Sequence, residues 1–194
     1  MHGLINRSIQ NYFCANYGRE LWADVASRAG LDFTEFEVML TYPDHITPAV
    51  LDAVCAVLDR SRAEVMEDVG TFLVAQPGYG AVRRLLRFGG VSFGDFLQSL
   101  DDLPDRTRLA LSELRLPWIE LREDPDGQYS LICAAPLVGY GYLMMGVLRA
   151  MADDYGALVL LEHCGRSAGV ETLKIILVEV DFSEGRSFEL GARA

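Results

Sequence analysis

Ser92-Phe-Gly-Asp-Phe-Leu-Gln-Ser-Leu-Asp-Asp-Leu-Pro104 decides how the middle of this chain is read. Ser92 followed three residues later by Asp95 has the form of a helix cap. Phe93, Phe96, Leu97, Leu100 and Leu103 then recur at helical spacing. The pattern predicts a helix from Ser92 to Leu103 whose apolar face includes positions 97, 100 and 104. Pro104 lacks a backbone N–H and disfavours helical geometry at Leu103, so it is expected to end that helix.

Upstream, the pattern stays helical. Leu4, Ile5, Ile9, Tyr12 and Phe13 lie on one face of a first helix, and Gly18 marks its boundary. Glu20 to Ala29 forms a second, with Gly30 as its cap. Thr47-Pro48 opens a third in N-cap, N1 order, and Ser61 to Val69 makes a fourth. Gly78-Tyr-Gly80 punctuates before Val82 to Phe88, and Gly89-Gly90 breaks the chain again. Downstream of Leu116 the character changes. Trp118 to Arg122, Tyr129 to Ala134 and Ala157 to His163 read as strands, and Asp124-Pro-Asp-Gly127 is a tight turn. Met144 to Tyr155 is a helix between strands, and Leu173 to Val180 is the last strand. Helices first, then an antiparallel sheet with one inserted helix, is an α+β arrangement. One domain over 1–182 and a mobile tail from Ser183 to Ala194 are expected.

Composition narrows the function classes. The chain has 194 residues, 17 basic against 28 acidic, and a formal charge of −11. That balance argues against nucleic acid and anionic membranes as partners. Cys14, Cys55, Cys133 and Cys164 are widely spaced, as expected of reduced cytoplasmic thiols. His2, His45 and His163 are too far apart in sequence to suggest a zinc site. Gln128 to Leu148 carries no charge, but Pro136, Gly139 and Gly141 favour a strand, a bend and a buried helix over a membrane span. Gly139-Tyr-Gly141 lacks the third glycine of a dinucleotide turn, because Met144 stands there. No Gly-x-Ser-x-Gly elbow exists, and an enzyme is not expected. Arg83-Arg84 with Arg87 reads as a solvated helix face, with an acidic docking partner as the alternative.

Several segments in order carry a family resemblance. They are Met1-His-Gly-Leu-Ile-Asn6, Asn16-Tyr-Gly-Arg-Glu-Leu-Trp22, Leu31-Asp32, Tyr42 with Asp44, Gly78-Tyr79, and the Phe96-Leu-Gln-Ser-Leu-Asp101 helix. With Pro117, Gly139 and Gly146, this set resembles the H-NOX domains, heme sensors of nitric oxide and oxygen, and the heme domain of the soluble guanylate cyclase β subunit. The resemblance covers nearly the whole chain. It implies a heme held between a helical lobe and a sheet-containing lobe. It also implies a sensory role, reported to a histidine kinase, a diguanylate cyclase or a fused catalytic domain.

The same resemblance exposes departures. The family's proximal histidine falls on Pro104, which has no atom to offer iron. No histidine lies between His45 and His163, so a shifted alignment does not restore one. The family's Tyr-x-Ser-x-Arg motif, which holds the heme propionates, falls on Cys133, Ala135 and Leu137. Asp44 matches the acid that contacts the missing arginine and is left as a loop-forming residue. Pro117 matches a proline that packs on the porphyrin.

The expectation is therefore a sensory domain with a degenerate pocket. Its lining is predicted as Ile5, Ile9, Leu100, Pro104, Pro117, Cys133, Ala135 and Leu137, with no metal ligand. No cofactor is predicted, although the resemblance itself implies heme. The partners are a signalling protein and a small apolar ligand. Two alternatives stand beside this reading. One is a heme sensor using Cys14, Cys133, Tyr140, Met144 or His163 as a non-standard ligand. The other is an interaction module whose pocket has collapsed.

Overall fold

The structure is a computed structural model that describes residues 1–188. The chain divides into two compact units, Met1–Val69 and Gly70–Ala194, with the division inside one helix.

The first unit is helical: α1 (Gly3–Tyr17), α2 (Arg19–Arg28), α3 (Ile46–Leu58) and the start of α4 (Arg62–Ala75). Ile9, Phe13, Val25, Val50, Leu51 and Val54 are buried, as the 3.6-residue pattern requires. Gly30 ends α2 at φ +71°, with the Leu31 N–H bonded to the Ala26 carbonyl, a left-handed glycine stop. Ser61 and Glu64 form the capping pair of α4, which runs six residues beyond the predicted end. Thr47 is not the N-cap of α3. His45 is, and the Thr47 hydroxyl instead donates to buried Asn6 Oδ1 at 2.7 Å. Pro48 remains in the first turn, where its missing N–H costs nothing. Asp44 is more than a loop former, since it accepts from the Met1 amino nitrogen at 2.9 Å.

In the second unit a short 3-10 turn (Pro77–Tyr79) leads into α5 (Gly80–Arg87), followed by α6 (Phe93–Gln98) and α7 (Leu103–Ala110). Then come β1 (Trp118–Glu123), β2 (Tyr129–Ala134), α8 (Tyr140–Tyr155), β3 (Leu158–Ser167) and β4 (Val170–Glu179). The antiparallel sheet has the order β1-β2-β4-β3, with α8 inserted between β2 and β3, so the α+β reading holds. Asp124–Gly127 closes the β1–β2 hairpin as predicted.

The Ser92–Leu103 segment corrects its own prediction. The Ser92–Asp95 capping box is present, but the helix stops at Gln98 and restarts at Leu103. Pro104 does not end a helix; it sits in the first turn of the next one. Had α6 continued, the proline ring would collide with the Leu100 carbonyl and leave it unpaired. The chain turns instead, and Arg106 bonds the Ser99 carbonyl at 2.7 Å and the Leu85 carbonyl at 3.3 Å. Asp101 in the same turn accepts the Leu121 N–H of β1 at 2.6 Å.

The basic cluster of α5 is also not a solvated face. Arg84 is exposed, but Arg83 and Arg87 turn inward to buried Asp154 of α8. Of the expected tail, residues 183–188 make hydrogen bonds to Asp154, Gly156 and Arg83, while 189–194 lie outside the described residues.

The end of α4 approaches α8 through Gly70. A Cβ there would lie 2.0 Å from the Leu143 carbonyl oxygen, closer than any side chain tolerates. Gly70→Ala is expected to lower unfolding stability by about 1–3 kcal/mol, the usual cost of overpacking. An unchanged urea midpoint would show that the helices can part freely.

Candidate functional site

Strand alternation aims part of the predicted lining inward. Leu131, Cys133 and Ala135 are buried along one side of β2 and its extension, with Ile132 and Ala134 between them half-buried. Cys133 and Ala135 belong to one packed cluster with Leu100, Leu103, Tyr140 and Met144. Leu137 is also buried, and Pro104 and Pro117 are half-buried. In the first unit Ile9 is buried and Ile5 half-buried on α1. Two hollows in that unit's surface, about 500 and 210 Å³, are lined by other residues, among them Arg7, Glu35, Cys14 and Trp22.

Burial also sets the protonation of the candidate ligands in the metal-free protein. The Cys133 thiol is pushed up to about 12 by burial and by the nearby charge of Glu171. It is therefore a protonated, apolar group at neutral pH, whereas a metal ligand needs the thiolate. Burial likewise raises Cys14, and burial with the neighbouring Cys133 raises the Tyr140 phenol. Met144 is buried within the cluster. Both ring nitrogens of His163 are engaged, Nε2 with Glu171 at 3.1 Å and Nδ1 with the Gly165 N–H at 3.1 Å. Among the described residues no three His, Cys, Asp or Glu side chains gather to hold a metal.

The strongest polar arrangement beside the lining was not foreseen. Glu171 of β4 is 2% exposed and stands opposite Cys133 in the sheet. Its Oε1 accepts the Gly139 N–H and its Oε2 the Gly141 N–H, both at 2.8 Å. These donors open α8, so the carboxylate sits on the positive end of a 16-residue helix. His163 Nε2 also donates to Oε2, and Arg166 Nε lies 3.6 Å from Oε1. Because Nδ1 accepts from Gly165, the ring proton belongs on Nε2. The Tyr142 ring stacks on His163 at 4.0 Å, within 4° of parallel. A Cβ on Gly141 would lie 2.7 Å from Glu171 Oε2, so this close approach requires glycine. The sequence held a signal: Glu171, Leu173 and Ile175 share one side of a strand. Starting the strand at Leu173 hid it.

The comparison with known families now has its context. The family described as HNOB, Haem-NO-binding, matches residues 2–188. This chain belongs to that family. Its relatives include soluble guanylate cyclase 89Db of Drosophila melanogaster, 24% identical over 177 residues, covering 87% of this chain and 26% of that protein. Soluble guanylate cyclase gcy-32 of Caenorhabditis elegans is 29% identical over 156 residues, covering 78% of this chain and 23% of that protein. The chain thus spans about a quarter of the length of the curated relatives it matches. Among solved structures, an H-NOX protein from S. oneidensis in the Fe(II) state superposes with a TM-score of 0.78 at 19% identity, covering 97% of this chain and 100% of that one. An oxygen-binding H-NOX domain related to soluble guanylate cyclases gives 0.66 at 15% identity, covering 96% and 100%. The haem-NO-binding fold is therefore present, and with it membership of a sensor family.

Two outcomes test the site. At pH 8, iodoacetamide should alkylate exposed Cys164 about a hundredfold faster than Cys133, as peptide mass spectrometry would record. Comparable rates would mean that Cys133 is open to solvent. For Glu171, burial alone would raise the carboxyl, but the bonds from His163, Gly139 and Gly141 outweigh it and hold the group below the usual range. The stabilisation is therefore complete above about pH 4.3 and fades as pH falls through the folded value. Glu171→Gln should cost about 3 kcal/mol at pH 7, with the gap to the parent narrowing below about pH 4 in urea titrations. A gap independent of pH would rule out the charge as its origin.

Proposed function

We propose that this haem-NO-binding domain is a sensory, signal-transducing module that works without heme. The observation that carries the reading is Pro104, in the first turn of α7, at the position the family resemblance gives to the iron ligand. Cys133, Ala135 and Leu137 stand where the resemblance places the propionate anchors, and none carries a cation. Two propionates would add two negative charges to a chain of formal charge −11, and a partly buried carboxylate without a cation costs several kcal/mol. The alternative ligands are protonated, packed or already bonded. The residues present do not fit heme.

The packing of Leu100, Cys133 and Ala135 with Tyr140 and Met144 favours a neutral apolar ligand over a charged one, or a wall closed by side chains. The chain has no catalytic role of its own in this reading. Its output passes through contact with a signalling protein, such as the histidine kinase or diguanylate cyclase that the resemblance implies. The cysteines described are free, in keeping with the reduced cytoplasmic setting this reading assigns.

Reconstitution with hemin tests the proposal. The parent should show no stoichiometric Soret band, while Pro104→His with Leu137→Arg should bind hemin about tenfold or more tightly than the parent. A parent that binds one heme, with a Soret band that moves on reduction and on nitric oxide addition, would overturn it. Loss of that heme on substituting His163 or one thiol would then identify the non-standard ligand.

A further inference from the structure

The segment that follows β4 is docked by named hydrogen bonds. The Ser183 N–H bonds the Gly156 carbonyl at 3.0 Å, and the Arg186 N–H bonds the Asp154 carbonyl at 2.9 Å. Two glycines permit the approach. A Cβ on Gly156 would lie 2.1 Å from the Ser183 carbonyl oxygen, and one on Gly185 would lie 2.8 Å from the Tyr155 backbone. Arg83 Nη2 then reaches the Ser187 carbonyl at 3.2 Å, while its Nε pairs with Asp154 Oδ1 at 2.7 Å. The Arg87 guanidinium lies between two rings, 3.9 Å from the Tyr155 centroid and 4.9 Å from that of Phe188.

Tyr155 carries the arrangement onward. Its hydroxyl donates to the Gly90 carbonyl at 3.0 Å, and its ring meets Phe93 and Phe96 of α6. One connected set of contacts therefore runs from α6 through Tyr155 and Arg87 to Phe188. The set is also imperfectly satisfied. Asp154 is 1% exposed, yet among the described residues its Oδ2 has no hydrogen-bond partner and faces Arg87 across 3.5 Å. Among the described residues Arg87 Nε is likewise buried without a hydrogen-bond partner. Unsatisfied buried groups weaken the docked state, so modest changes in α5 or α6 can release it.

We propose that Ser183–Phe188 is a releasable strap, and that the Arg83, Arg87, Asp154 and Tyr155 clasp couples its docking to the arrangement of α5 and α6. The strap gives any rearrangement of α6 a route to Phe188, whatever the pocket holds. The coupling is an equilibrium property and must work in both directions.

Hydrogen exchange of the full chain, read by peptide mass spectrometry, tests this. Phe188→Ala should speed exchange about tenfold in the strap and also in Gly80–Arg87 and Phe93–Gln98. Arg87→Met should produce the reciprocal effect, exposing the Ser183 and Arg186 amides. Arg84→Ala, an exposed position on the same helix, should leave the strap unchanged. Acceleration confined to the strap in Phe188→Ala, or strap amides already unprotected in the parent, would overturn the proposal. So would an Arg84→Ala variant that releases the strap as readily as Arg87→Met.

Discussion

A full negative charge on Glu171 lies almost entirely out of water, and the second unit is arranged around that fact. Removing a carboxylate from solvent costs several kcal/mol unless donors replace the water. Here the donors come from the loop before α8, the first turn of α8 and neighbouring β3. Each bond to a charged acceptor returns roughly 1.5–3 kcal/mol, and the helix dipole adds to it. The consequence is positional. α8 cannot slide along the sheet without stripping the carboxylate of two N–H groups, and Gly141 leaves no room for a side chain that would push them apart. The register of α8 then fixes where Tyr140 and Met144 pack on Cys133 and Ala135, so the acid sets the character of the lining without belonging to it.

Pro104 is a second constraint, acting through the backbone. Proline offers no N–H to the Leu100 carbonyl, and the chain breaks between α6 and α7 just before it. The break turns the Ser99 carbonyl and the Asp101 carboxylate toward partners outside α6. Arg106 collects the carbonyls of Ser99 and Leu85, and Asp101 takes an N–H from β1. The turn between α6 and α7 is thus a junction joining α5, α6, α7 and the sheet edge. Leu97, Leu100 and Leu103 supply the apolar face on both sides of the turn.

Much of the architecture was legible because local periodicity reports local structure. The Ser92 cap, the Asp124–Gly127 turn and the alternation in β2 depend on residues within a few positions of one another. Errors fell where polar groups chose distant partners. The Thr47 hydroxyl looked like a helix cap but bonds Asn6, 41 residues away. Arg83 looked solvated but pairs with Asp154, 71 residues away. Glu171 lay outside the strand expected from Leu173, yet its partners include an N–H 32 residues earlier.

By itself the sequence determined the succession from helices to sheet, the lack of a ligating atom at position 104 and the lack of any cation between Asp124 and Leu148. These are properties of residue type and short spacing, which no packing can alter. Only the tertiary structure decided that Pro104 begins a helix, that two arginines turn inward, and that a strand glutamate anchors α8. A charge or a hydroxyl can satisfy itself in water or on any donor within reach. Which choice it makes depends on what the rest of the chain brings beside it.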